Sequence, residues 1–475
     1  ERIDAGSTKP DLRVRVPVRA GPHTLGATFI ARNFAPNDDL NKPFLRSTLE
    51  TGDIVGFTFY PHIGSVSVEG PFNPSPSQDT PSRAKIFTCN PKNAKEEASC
   101  AKQILSGLAR RAFRRPSTEE DLESLMGAYD EGRKKGGFED GIEMGLRNLL
   151  ADPEFVFRVE ADPPNAKPGV PFRISDLELA SRLSFFLWST FPDDELISLA
   201  TQGKLKDARI LEQQVRRMLG DSRSQALVTN FAGQWLQLRN LQSAARVGEI
   251  FPNFDDNLRQ AFKTETEMLF ESIVREDRNV VDLLTADYTF VDERLAHYYG
   301  IPNVYGSRFR RVELGPELSM RRGLLGQGSM LTVTSNADRT APVRRGKWVL
   351  INILGVIPPD PPPNVPVLKE PTGKGQVQSM RERMEQHRAN PYCSSCHNMM
   401  DPIGFALETY DAGGAFRATD NGRKLDLTGA LVDGIKYDGP NGLRQALLQY
   451  SPRFVATLAE QLLTYGRSEE HTSEL

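Results

Sequence analysis

Apolar and polar residues alternate near the start of the chain, where Leu12, Val14, Val16 and Val18 are interleaved with Arg13, Arg15, Pro17 and Arg19. That period of two predicts a strand. Gly21-Pro22 then makes a turn, and Thr24 to Ile30 gives a returning strand. A further strand from Ser65 to Glu69 stops at Gly70-Pro71, so residues 1–72 read as part of a β-sandwich. Pro71 to Ser82, rich in proline and serine, is a linker.

Beyond the linker the period lengthens to that of helices. Ala98 to Phe113 reads as one helix closed by Pro116, and Ser117-Thr118-Glu119-Glu120 as a capping box opening the next. Ile142, Leu146, Leu149 and Leu150 share a face, completing a small helical domain over 84–158. A proline-rich boundary runs from Asp162 to Val170. Ser175-Asp176-Leu177-Glu178 is a second capping box, leading into Leu183, Phe186 and Leu187 on one face. Trp235 with Leu236 and Leu238, and then Ala261 to Val274, mark further helices of a larger domain over 170–312. Their apolar stripes are core positions. Pro358 to Pro366 is a stiff polyproline-like spacer within a segment 313–424, and 425–465 reads as a truncated helical domain. The pattern as a whole predicts a mainly α, multidomain protein.

Composition narrows the function classes. With 475 residues the chain exceeds one ordinary core. Lys and Arg number 59 against 62 Asp and Glu, a net charge of −3, so nothing favours nucleic acid or an anionic membrane as partner. The densest apolar run, Leu183 to Trp188, is far short of the ~20 residues that span a bilayer. The helical block carries no phosphate-binding glycine loop, Ser-His-Asp order or paired-histidine metal motif.

The chemistry is concentrated in Cys393-Ser394-Ser395-Cys396-His397, the attachment signature of c-type haem. Two thiols at this spacing add across the vinyl groups on one porphyrin edge, and the following imidazole ligates the iron. A structural disulfide and a zinc site are the alternatives. Cys396 and His397 are adjacent and ill placed to share one small tetrahedral ion, and a thioredoxin-like disulfide lacks its βαβ context. One such motif implies one haem. Cys89 and Cys100, flanking a charged stretch, read as a disulfide. Both features place the protein outside the cytoplasm, in the periplasm, at the cell surface or secreted. No signal peptide is visible at Glu1-Arg2-Ile3-Asp4, so the chain is expected to begin inside a longer precursor.

The iron's other face decides between carriage of electrons and catalysis. Met399 and Met400 are too close in sequence to His397 to reach it. His387 lies ten residues upstream, a stretch that extended covers ~33 Å, so it is the candidate second iron ligand, with a surface or propionate-bonding role as the alternative. Met384, Met380, Met330 and His297 follow it. Arg344 and Arg345, in a basic cluster with Arg339 and Lys347, suit the haem propionates; a solvated face is the other reading. Asp401-Pro402-Ile403-Gly404-Phe405 is expected to turn the chain under the ring, with Phe405 or Tyr410 against the porphyrin. Asp401 or Glu408 would then orient His397 through its second nitrogen, with a structural turn or helix cap as the equal alternative for either acid.

Several stretches together resemble planctomycete-type cytochrome-like proteins, which are assembled from serial domains of unknown function ending in a c-type haem segment. They are Arg110 to Pro116, Leu179 to Ser189, Phe231 to Leu236, Leu331 to Asn336, Arg344 to Leu350, and Cys393 to Arg417. The resemblance covers about 84 to 465 and implies architecture more than reaction. The family's amino-terminal parts are not seen, and 466–475, including His471, reads as a sequence artefact. Residues 1–72 resemble the last strands of a carbohydrate-binding type of sandwich; Phe57, Phe59 and Tyr60 are the candidate platform, with core packing as their favoured use. The expectation is an exported electron-transfer protein with one covalent haem c, working with a redox partner protein and coupled to oxidation of a polysaccharide-related substrate. A haem oxidase or peroxidase with an open distal site is one alternative. A surface scaffold holding a polysaccharide ligand is the other.

Overall fold

The computed structural model describes residues 13–19, 23–26, 66–73, 80–157, 160, 162–164, 166–248, 250–359, 379–389, 391–420 and 422–467. They are mainly helical and fall into two compact bodies, divided at residue 164. No strand forms among the described residues of 1–72, where Val14, Val16, Val18, Val66 and Val68 are exposed. Phe57, Phe59 and Tyr60 lie outside the described residues, as do 360–366 of the proline spacer and His471.

The first body is built on α1 (Ala94–Ala112), α2 (Glu119–Gly136) and α3 (Phe138–Ala151). The Asn93 side chain caps α1 by accepting from the Lys95 amide, and Glu96 and Glu97 in its first turn complement the helix dipole. The box that opens α2 pairs Thr118 with Asp121, one residue beyond the Ser117–Glu120 expected, because Thr118 takes the extended conformation a cap requires. Cys89 and Cys100 form the expected disulfide, tying the chain ahead of α1 to the second turn of that helix, with Cα atoms 5.9 Å apart. Ile104, Leu105, Leu125, Tyr129, Ile142 and Leu149 fill the core. The α2–α3 hairpin closes tightly: a Cβ at Gly141 would stand 2.6 Å from the Tyr129 ring.

The second body packs on a main core running from Ala180 to Leu458, with a smaller cluster around Phe262, Leu295 and Leu314, and the parts anticipated as 170–312, 313–424 and 425–465 lie within this one compact unit. Its frame is α4 (Asp176–Trp188), α5 (Asp256–Arg275), α6 (Pro342–Asn352), α7 (Met380–Arg388), α8 (Pro391–Phe405), α9 (Gly439–Leu448) and α10 (Ser451–Gly466). Ser175 and Glu178 make the expected box at the start of α4. Trp235 touches residues of all three parts. Its ring stacks on Phe231 (5.7 Å) and on Phe454 of α10 (6.4 Å), and its Nε1 donates to the Asn352 carbonyl at 3.3 Å. Arg444 of α9 donates to the Ser319 carbonyl (2.9 Å), and Arg453 of α10 to that of Leu354 (2.9 Å). Further helices, among them Asp194–Thr201 and Ala208–Gly220, and short antiparallel strand pairs complete it. β1 (Tyr288–Val291) pairs with β2 (Arg310–Glu313), placing Tyr288 opposite Glu313. β3 (Thr428–Ala430) pairs with β4 (Lys436–Asp438), placing Gly429 opposite Tyr437. Among the described residues no helix is long and apolar enough to cross a membrane.

The helix with the Cys/His motif is set by a close crossing. A Cβ on Gly346 of α6 would overlap the Met400 carbonyl oxygen, and one on Gly404 of α8 would overlap that of Pro342. α8 also runs straight through Pro402, where a turn was expected. A proline there sacrifices one helical hydrogen bond, and packing against α6 outweighs that loss.

A buried acid lies elsewhere in this core. Glu265 of α5 accepts from Thr289 Oγ1 (2.6 Å) and Tyr299 Oη (2.7 Å), while Arg321 lies 4.2 Å over the Tyr299 ring. Burial pushes its carboxyl up from 4.5 to about 7, against the two hydrogen bonds and the Arg321 charge. The folded chain thus keeps a proton that the unfolded chain releases near pH 4.5. Stability should fall by roughly 3 kcal/mol between pH 4.5 and 7 on this account and level off above. Urea titrations at pH 5, 6, 7 and 8 should show that slope in the parent and its loss in Glu265→Gln; equal slopes would refute it.

Candidate functional site

The motif sits on α8, and two neighbours frame it. α7 starts at Ser379, whose side chain and Glu382 form a capping box, and ends with His387 and Arg388. On α8, Cys393, His397 and Asp401 recur every four residues and share a face, with Cys396 beside them. Cys393 and Cys396 are half-buried free thiols. The Cys396 Sγ approaches the Pro359 carbonyl at 3.9 Å.

His397 is held by its Nδ1, 2.9 Å from Oδ1 of Asp401. A carboxylate only accepts, so Nδ1 carries a proton, and in the neutral ring Nε2 is then the nitrogen with the free lone pair. Asp401 is 0% exposed. Among the described residues its Oδ2 has no hydrogen-bond partner, and the cation beside it is Arg388, with Nε 3.6 Å away. The orienting acid is therefore Asp401. Glu408, the other candidate, belongs to a different network: it accepts from Thr340 (2.7 Å), Arg345 (3.2 Å) and Arg417 (2.8 Å).

His387 stands edge-on to His397 with ring centroids 4.9 Å apart. Burial, and then the neighbouring His397, hold its pKa below the ordinary histidine value. Two imidazoles on opposite sides of one metal need centroids about 6 Å apart, counting two bonds of roughly 2 Å and the rings themselves. In this arrangement His387 lies directly against His397.

The other sequence candidates separate from this face. Arg344 is exposed. Arg345, expected on a propionate, is wholly buried, and its terminal nitrogens bond the carbonyls of Leu407 (2.7 Å), Tyr410 (2.8 Å) and Asp411 (2.8 Å). Burial lowers its pKa to about 10 and raises that of Glu408. Its place is inside the turn that follows α8. Met330 and Met384 are core residues, Met380 is half-buried and His297 exposed. Phe405 lies under the Arg381 guanidinium at 4.2 Å, and Tyr410 donates to the Met320 carbonyl at 2.8 Å. Arg388 was not singled out from the sequence, where nothing but its place beside His387 marks it.

An open groove of about 990 Å³ runs along another side of α8, lined by Met399, Pro402, Phe405, Leu431, Tyr437 and Arg388 among others. Neither cysteine nor His397 lines it. Among the described residues no group of three or more His, Cys, Asp or Glu is gathered to hold a metal ion. The donor set does suit a covalently held haem: two free thiols three positions apart, an imidazole with Nε2 bare and a buried carboxylate on Nδ1.

Family models match within both bodies. Residues 100–160 match PSD5, a protein of unknown function (DUF1595), and 174–301 match PSD4, a protein of unknown function (DUF1592). Residues 321–420, which carry α6, α7 and α8, match PSCyt3, a protein of unknown function (DUF1588). These are the serial domains typical of planctomycete cytochrome-like proteins. The Cys/His face thus falls wholly within the third of them. No curated protein and no solved structure matches.

The burial of Arg345 has a measurable consequence. Arg345→Gln strips a buried ion pair and leaves Glu408 and the turn carbonyls short of donors, at a cost of about 3–5 kcal/mol. Urea denaturation should show it. An unchanged midpoint would mean that the buried network does not hold the turn.

Proposed function

We propose that this chain is a c-type haem protein that transfers single electrons, with the haem joined through Cys393 and Cys396 and its iron ligated by Nε2 of His397. The observation that carries the reading is the combination on one helix of two free thiols with an imidazole whose Nδ1 is bonded to buried Asp401. The haem, when bound, supplies a one-electron couple at its iron. The protein's own part is to fix position. α8 holds the three attachment residues on one side, and Asp401 sets the His397 tautomer. The α6 crossing then keeps the helix from shifting. Because such haem is attached after export, the working place is the periplasm or the cell surface, and electrons pass to or from a separate redox protein.

One observation favours a second reading, an oxidase or peroxidase with an open sixth position. His387 lies against His397, so it would have to move to ligate the opposite face. Absorption spectra of chain matured with haem-attachment machinery, with and without carbon monoxide, separate the two. Electron carriage predicts a low-spin spectrum indifferent to carbon monoxide. A high-spin spectrum that shifts with the gas would replace that reading with the catalytic one.

A further inference from the structure

We infer that Asp401 and Arg388 act as an opposed pair of positioning residues that set how strongly His397 donates to iron, and so which oxidation state the chain favours. The inference rests on the reading of His397 as the ligand. Asp401 is closed off from solvent, and its two oxygens face different groups: Oδ1 bonds His397 Nδ1 at 2.9 Å, and Oδ2 lies 3.6 Å from Arg388 Nε. Among the described residues Oδ2 meets no hydrogen-bond donor, and the Arg388 guanidinium is the cation that stands against this carboxylate. At a buried site such a charge acts far more strongly than in water.

A carboxylate pulling on Nδ1–H makes the ring more electron-rich at Nε2. A stronger donor, with a negative charge behind it, favours ferric over ferrous iron. The Arg388 guanidinium works against this by offsetting the Asp401 charge, and Arg388 also pairs with Glu385 at 3.6 Å. The two residues therefore pull in opposite directions. A residue that merely supports the fold would not do so.

The test compares midpoint potentials of the haem-loaded parent, Asp401→Asn and Arg388→Gln, each equilibrated against redox dyes. Asp401→Asn should favour the ferrous form tenfold or more, a rise of about 59 mV for a one-electron couple. Arg388→Gln should shift the ratio the other way. Shifts in the same direction, or both within threefold of the parent, would overturn the inference while leaving the haem reading intact. Absence of covalent haem staining after denaturing electrophoresis would overturn both. A second readout needs neither mutation nor haem: nitrogen-15 spectra of histidine-labelled, haem-free chain should show His397 protonated at Nδ1. Protonation at Nε2 instead would refute the arrangement.

Discussion

The backbone of α8 lies against α6 at a separation that only glycine permits, and the site depends on that contact. At Gly346 and Gly404 a methyl group would occupy the space of a carbonyl oxygen on the other helix. So close an approach locks the rotation of α8, and with it the direction in which Cys393, Cys396 and His397 point. Arg345 then fastens the end of the helix, gathering three carbonyls of the 407–411 turn around one guanidinium. A residue that looked like a ligand-binding cation is thus part of the support beneath the site.

The support explains the fixed tautomer as well. Asp401 is one turn beyond His397, and packing removes it from water, so its strongest available interaction is with the imidazole Nδ1. A mobile helix, or an exposed acid, would leave both nitrogens free to exchange roles. Here the nitrogen left bare is decided before any ligand arrives. The groove beside Met399 and Phe405 is a separate feature of the same helix, and neither cysteine nor His397 lines it.

The features legible in the sequence were those that depend on local spacing. The Cys89–Cys100 bond, the helical character, the box at Ser175 and the grouping of two thiols with an imidazole all arise from residues close together in the chain. Those that escaped depend on partners far away. Nothing near Arg345 reveals that Leu407, Glu408 and Tyr410 will surround it. Pro402 looked like a turn because its neighbours are Asp401 and Gly404, yet Gly404 serves the close crossing and the helix continues. Short pairs such as β3 with β4 carry too few residues for a period to register. The close packing of the carboxyl-terminal parts into one unit was not legible either, since contacts such as Trp235 on Phe454 join residues more than two hundred positions apart.

The central claim is that Cys393 and Cys396 hold a haem covalently. Intact-mass measurement of chain exported through a periplasm equipped for haem attachment tests it most directly. The account predicts an added mass of one haem in the parent and none once both cysteines are changed to serine. A parent chain of unmodified mass, with the Cys89–Cys100 disulfide formed to show that export succeeded, would contradict it.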